Sequence, residues 1–270
     1  MTVKRPLLRY FGGKWVMGQW ILSHFPEHHT YVETHGGGAS VLLRKPRCCA
    51  EVYNDLDEEI VNLFRVVRDR GDELGRAISL TPFARAELEL SYQSAPDRLE
   101  QARRTLARSY MGFGTTLTRL TRSARLMRTG FRSYSKKNRR SIPAHDWKTW
   151  PGCLPAIIER LQGVVIENRD AAEVISAHDG PQTLFYVDPC YVHSTRGRPD
   201  GYRHEMTERD HVRLAKQLRG VRGKVVLSGY PSALYQRLYG DWITDRRPAR
   251  ADGAKLRTEV LWMNFQREAA

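Results

Sequence analysis

Asp188-Pro189-Cys190-Tyr191 closes the apolar run Leu184-Phe185-Tyr186-Val187, and it places a carboxylate, a rigid carbonyl and an aromatic face together. That set suits chemistry on an amino group attached to a flat base. An exocyclic amine on adenine or cytosine is a poor nucleophile because its lone pair is delocalised into the ring. A carboxylate and a backbone carbonyl can each accept one N–H, drawing the lone pair out of conjugation and aiming it at an electrophilic methyl group. Pro189 stiffens the backbone that aims them. Tyr191 offers a face to a base swung out of its helix, and such stacking contributes roughly 1–3 kcal/mol per base. Alone, a pattern of four residues is more often a strand ending in a turn, so its meaning depends on its company.

The company begins near the N-terminus. Tyr31-Val32-Glu33 reads as a strand, Thr34-His35-Gly36-Gly37-Gly38 as a turn, and Ala39 to Lys45 as a helix. Glycines at such a crossing let a ligand approach the backbone, and an acidic residue about 20 positions onward binds ribose hydroxyls. Asp55, after the strand candidate Ala50-Glu51-Val52-Tyr53, stands in that place. Gly36, Gly37 and Gly38 do not follow the dinucleotide spacing Gly-x-Gly-x-x-Gly. A nucleoside-bearing cofactor without a pyrophosphate therefore fits better than a nicotinamide or flavin. Ahead of both, Pro6 to Trp15 brings Tyr10, Phe11, Gly12, Gly13 and Lys14 before an apolar helix expected around Val16 to Phe25.

These three segments, in this order, resemble the Dam-type DNA adenine methyltransferases, which transfer a methyl group from S-adenosyl-L-methionine to the adenine amino group. The resemblance implies that Asp188, Pro189 and Tyr191 are the catalytic set. It implies that Tyr10 and Lys14 contact the cofactor, that Glu33 and the loop Gly36, Gly37, Gly38 cradle its methionine portion, and that Asp55 holds its ribose. Asp170, in Glu167-Asn168-Arg169-Asp170 after the strand candidate Val164-Val165-Ile166, would lie beside the cofactor adenine, and Asp188 would face both cofactor and target amine. The similarity continues through Tyr202-Arg203-His204-Glu205-Met206-Thr207 and Leu227-Ser228-Gly229-Tyr230, and is loose in the middle. Two departures stand out. Thr34-His35 replaces the family's Pro-Phe, and Cys190 replaces a second Pro, which frees one φ angle and restores one N–H donor. Cys190 does not read as a nucleophile, because ring-carbon methylation uses a Pro-Cys context without these Asp and Tyr flanks.

Charge points to a nucleic-acid partner. The 270 residues carry 44 Lys plus Arg against 30 Asp plus Glu, a net charge of +14, with a pI near 9.9. Residues 101–140 hold twelve Lys or Arg and no Asp or Glu, interleaved with Tyr110, Phe113, Phe131 and Tyr134. Such a stretch neutralises phosphates, while individual arginines read guanine edges and aromatics wedge between bases. The candidate DNA-binding residues are Arg103, Arg104, Arg119, Arg122, Arg125, Arg139 and Arg140. Arg119, Arg122 and Arg125 lie three apart and would share a face on a helix. Methylation of adenine in RNA, methylation of the cytosine amine in DNA, and a catalytically silent DNA-binding relative are the rival readings. Retention of Lys14, Asp55, Asp188 and Tyr191 together argues against the last.

The elements that must position these residues read as one α/β fold. Strand candidates alternate with helical patterns over the first sixty residues and again after Val164, through Lys224-Val225-Val226-Leu227 to Val260-Leu261-Trp262-Met263. This pattern argues for a Rossmann-like methyltransferase sheet with helices on both faces. The expected division is a cofactor-binding catalytic domain over 1–60 and 160–270, with an inserted, mostly helical, basic target-recognition lobe over 61–159. Ligands should bind at the carboxyl ends of the strands. Cys48, Cys49, Cys153 and Cys190 lack paired Cys-x-x-Cys spacing, and His28, His29 and His204 lack partners at ligand spacing, so no metal is expected. No signal peptide or long apolar span is read, which implies a cytoplasmic protein. Whether it works beside a cognate restriction nuclease is left open by the sequence.

Overall fold

The structure, a computed structural model, describes residues 2–114, 120–121, 123, 125–133, 142–196, 201–250 and 256–266. Five parallel strands, β1 (Thr30–Glu33), β2 (Ala50–Asn54), β3 (Val164–Glu167), β4 (Thr183–Val187) and β5 (Lys224–Gly229), are joined by an antiparallel pair, β6 (Ile243–Arg250) and β7 (Leu256–Met263). They form one sheet in the order β3-β2-β1-β4-β5-β7-β6. The strands alternate because both sheet faces are covered. Tyr31, Tyr53, Leu184, Tyr186 and Val226 belong to one buried cluster, whereas their neighbours Val32, Val52, Phe185, Val225 and Leu227 belong to the other. Every residue of β4 is buried, which is the pattern of a central strand in a parallel sheet.

On the second face lie α7 (Ala171–His178), α8 (Glu208–Leu218) and α9 (Ala233–Tyr239), which contribute Val174, Leu214 and Tyr235 to its core. The first face receives α1 (Gly18–Leu22), α2 (Glu58–Leu80), α4 (Arg98–Met111), α5 (Pro143–Thr149) and α6 (Leu154–Leu161), with the short α3 (Arg85–Leu90) against α4. Asp57 caps α2 by accepting from the Glu59 amide, and Asp97 caps α4 by accepting from Glu100, each satisfying an otherwise orphaned N–H. The N-terminal segment is clamped into these helices: Trp150 Nε1 donates to the Leu7 carbonyl at 2.7 Å and the Arg9 amide donates to Ser109 Oγ at 2.8 Å.

Several expectations change. The strands forecast from the apolar runs are present, but β6 was not anticipated, because Thr244-Asp245-Arg246-Arg247-Pro248 is too polar to stand out. The helix expected over Ala39 to Lys45 is a series of turns. The Leu42 amide is taken by Glu33 Oε2 at 2.9 Å rather than by a helical carbonyl. The helix expected around Val16 to Phe25 shrinks to Gly18–Leu22, with Val16 exposed. The 61–159 boundary falls inside α2, whose Ile60, Phe64 and Val67 share one core with Leu106 of α4, Leu161 of α6 and the sheet residue Tyr186. Most of that middle is therefore part of the catalytic body. The two ends of residues 114–129 are pinned together: the Phe113 amide donates to the Gly130 carbonyl at 2.8 Å and the Arg132 amide to the Met111 carbonyl at 2.7 Å.

Candidate active site

The parallel strands end level with one another. Glu33 is in register with Tyr53 and Tyr186, Asn54 with Glu167, and Val187 with Leu227. The next residues, Asp55 after β2 and Asp188 after β4, therefore emerge at one carboxyl edge, where the strand order reverses between β1 and β4. A cleft of about 520 Å³ opens there, and it is lined by Tyr10, Lys14, Glu33, Gly36, Gly37, Gly38, Asp55, Asp170 and Asp188. Nine residues singled out from five separate stretches of sequence thus meet in one place. Its size lies in the range of ligand pockets.

Asp188 is held through one oxygen. Ser228 Oγ, on the adjacent strand β5, donates to Asp188 Oδ1 at 2.6 Å, and Lys14 Nζ lies 2.9 Å from the same atom. Tyr186 OH lies 3.2 Å from Ser228 Oγ and extends the chain into the core. Both contacts fall on Oδ1. Lys14 Nζ also donates to the Gly12 carbonyl at 2.9 Å, lies 3.8 Å from Glu259, and sits 4.7 Å from the centroid of the Tyr191 ring. Burial lowers the affinity of Lys14 for its proton, and the charges of Asp188 and Glu259 more than reverse this, so the ammonium is held above its ordinary range.

Tyr191 and Pro189 do not line the cleft. Tyr191 is buried behind Lys14, donates its phenol to Glu259 of β7, and packs edge-on against Tyr230 at 4.7 Å between centroids. Burial and the Glu259 charge push that phenol well above its ordinary pKa. Ser228 and Tyr230 belong to the stretch Leu227-Ser228-Gly229-Tyr230 in which the family resemblance continues, without a role of their own, whereas Glu259 carries no distinctive sequence signal. Glu259 is a lone acid directly before the apolar run that ends the sheet.

The glycine turn is tied to Asp55. The Gly37 amide donates to Asp55 Oδ2 at 2.7 Å and the Asp57 amide to Oδ1 at 2.8 Å, while Tyr53 OH donates to the Gly37 carbonyl at 2.8 Å. A Cβ at Gly36 would lie 2.1 Å from the Tyr53 ring, and one at Gly37, whose φ is +48°, would lie 2.6 Å from Tyr10. The glycines are needed for this close packing. Asp170 caps α7 by accepting from the Ala172 amide at 2.8 Å. Glu33 accepts from Tyr31 OH at 2.7 Å and from Leu42, yet its burial raises its carboxyl to about 8. Burial likewise raises Asp55 to about 6 and lowers His35 to about 4. Burial also raises the Cys190 thiol above its ordinary range, which keeps it protonated and unsuited to nucleophilic attack. Among the described residues no group of His, Cys, Asp and Glu could hold a metal ion.

The basic segment divides in two. Arg103 donates to Glu100 and Glu87, and Arg104 to Glu100, so both are turned onto carboxylates that tie α3 and α4 together. Arg125 is not helical: the Thr121 amide donates to its carbonyl at 2.7 Å, and Leu120 bridges Leu126 in an antiparallel turn. Arg119, Arg122, Arg139 and Arg140 lie outside the described residues. Arg125 lines a groove shared with Glu58 at the start of α2 and with Arg203, which also borders the cleft.

A Rossmann-like sheet whose carboxyl edge presents a restrained Asp-Pro-Cys-Tyr beside a nucleoside-sized cleft defines an amine-directed methyltransferase. Residues 10–247 match the model of the D12 class N6 adenine-specific DNA methyltransferases, and the chain belongs to that family. It is also 25% identical, over 97% of its own length and 95% of the relative's, to the Type II methyltransferase M1.LlaDCHI of Lactococcus lactis subsp. cremoris. The protein is thus an adenine-specific DNA methyltransferase. No helix among the described residues is long and apolar enough to cross a membrane.

Proposed function

We propose that the chain binds S-adenosylmethionine in the carboxyl-edge cleft and methylates the N6 amine of an adenine rotated out of duplex DNA against Asp188. The observation that carries this reading is Asp188, restrained through Oδ1 alone, at a cleft that also holds every residue read as a cofactor contact. The cofactor's chemistry is an electrophilic methyl on a positively charged sulfur. The cleft suits a cationic ligand: even with Glu33 neutral, six further acids line it against four Lys or Arg, in a protein whose net charge is +14.

Asp55 holds the ribose, Asp170 lies beside the adenine ring, and the Gly36 to Gly38 turn with Tyr10 and Lys14 encloses the methionine portion. On the target side, Asp188 Oδ2 and the Pro189 carbonyl accept the two amine N–H groups. Ser228 and Lys14 stop the carboxylate from rotating, so alignment rather than basicity drives the transfer. Tyr191 is the proposed stacking face on the target side of Asp188. Duplex DNA reaches the edge through the basic segment carried on the 111–132 stem, with Arg125 its described phosphate contact. The Type II designation of the lactococcal relative makes a cognate restriction nuclease the partner to seek.

The test is incubation of the purified protein with labelled S-adenosylmethionine and unmethylated duplex DNA, followed by nucleoside mass analysis, with Asp188→Ala alongside. N6-methyladenine from the wild type and none from the variant is expected. Methyl on the cytosine amine, or cofactor binding without any transfer, would overturn the reading.

A further inference from the structure

The β6–β7 pair outruns the rest of the sheet. β5 meets β7 only over Val226–Gly229 against Met263–Val260, so Leu256–Glu259 and their partners Arg247–Arg250 continue as a two-stranded ribbon. Because β7 is antiparallel to β5, the overrun leaves at the carboxyl edge, where Ser228 touches Asp188. Arg257 stands three residues past Val260, about 10 Å at a strand's rise per residue.

The ribbon is basic and its charge is unanswered. Among the described residues, Arg246, Arg247 and Arg257 have no ion-pair partner, whereas Arg103, Arg160, Arg196 and Arg219 each face a carboxylate of the protein. The acids of the two strands are engaged elsewhere. Asp245 accepts from Trp20 Nε1 at 2.9 Å and contacts His24 at 2.8 Å, and Glu259 is turned onto Tyr191 and Lys14. Arg247 is the cross-strand partner of Glu259, so Arg247 and Arg257 share the face that carries Glu259, while Arg246 lies on the other. Arg246 and Arg247 are exposed, and Leu256 at the far end of the ribbon is 73% exposed. Charges on an edge strand discourage pairing with other chains, but that purpose is served by either sign, and here the free charges are all positive.

Sheet order supplies the geometry. The recognition segment belongs to the connection between β2 and β3, on one side of β4, whereas β7 and β6 lie on the other. We infer that the ribbon is a second DNA-contacting arm, whose arginines bind duplex phosphates on the flank of Asp188 opposite the recognition segment. Such contacts fix the register of a duplex without reading its sequence. The matched family residues end at 247, so β7 and Arg257 lie beyond them. This inference rests on the reading that duplex DNA meets the carboxyl edge.

The experiment compares the full-length protein with a triple variant, Arg246→Gln, Arg247→Gln and Arg257→Gln, and with its counterpart in which the same three become Lys. Duplex binding is measured across a salt series in the presence of S-adenosylmethionine, whose own binding reports that each variant is folded. The slope of log K against log salt is expected to fall by about 2 to 3 in the Gln variant, at about 0.9 per phosphate contact, and to return in the Lys variant. An unchanged slope in the Gln variant, or a reduced slope that Lys does not restore, would overturn the arm. Failure of the wild type to methylate duplex DNA would instead remove the reading beneath it. If the triple variant does not bind cofactor, the pair Arg246→Gln and Arg247→Gln, both exposed, decides by the same slope.

Discussion

The phenol of Tyr191 donates to the carboxylate of Glu259, which reaches it from the other end of the chain. Glu259 also lies 3.8 Å from Lys14 Nζ, so one buried acid restrains both the ring behind Asp188 and the ammonium in front of it. Replacing Glu259 by Gln keeps an acceptor for the phenol, whereas Ala leaves the ring free to tilt. Turnover should fall by about 100-fold in Glu259→Ala, as expected for an ångström-scale misplacement, and be largely restored in Glu259→Gln, with cofactor affinity little changed in the latter. Single-turnover kinetics with separate cofactor titration would check this.

Asp188 owes its orientation to Ser228. Ser228→Ala removes the 2.6 Å hydrogen bond and lets the carboxylate turn about Lys14 alone. Its rate should drop about 10-fold with unchanged DNA affinity, against a loss of about 100-fold to 1000-fold for Asp188→Asn, where a principal acceptor is degraded. Rates at saturating DNA separate the two.

Asp55 makes cofactor binding sensitive to acid. Burial raises its carboxyl from 3.8 to about 6, so it is neutral below that pH and ionised above it. S-adenosylmethionine, being cationic, should bind more tightly as pH rises through about 6, and Asp55→Asn should bind weakly with no such step. The stability consequence has the opposite sign. A folded-state pKa above the unfolded one stabilises the fold below about pH 4, and that contribution is lost as pH rises through about 6. Calorimetric titration between pH 5 and 8 and thermal melts between pH 3 and 8 would report the two effects.

Glu59 faces two arginines from different segments. Arg108 of α4 and Arg203 of the loop beside the cleft both donate to it, as does Thr105. Burial raises its carboxyl, and Arg108 with the other donors outweighs that and holds it below the ordinary range. Glu59→Ala removes the carboxylate from a buried guanidinium and should destabilise the fold by about 3–5 kcal/mol. Urea unfolding would measure it.

The parallel sheet was legible because Val164 to Ile166, Leu184 to Val187 and Lys224 to Leu227 are apolar runs of strand length. Tyr10, Lys14, Glu33, Asp55, Asp170 and Asp188 were legible because each sits beside a glycine pair or a strand end, where ligand contacts gather. Glu259 was not, since its importance comes from Tyr191 and Lys14, both far from it in the chain, and Ser228 was visible only as part of a resembling stretch, its contact with Asp188 being made across neighbouring strands. The surroundings of the arginines were hidden for a related reason. Arg103 and Arg104 read as free charge in an acid-free stretch, but Glu87 and Glu100, just outside it, answer them in space.

The stem formed by Met111–Phe113 and Gly130–Arg132 brings the two ends of the intervening loop side by side, while the helices on either side belong to the common core. On the proposal that this segment reads the DNA, site preference is mounted like an exchangeable bit on a fixed tool. A loop grafted from another family member at those two strand ends meets the same short gap and leaves the catalytic body untouched, whereas a chimera joined at residues 61 and 159 cuts through α2 and the core it shares with the sheet.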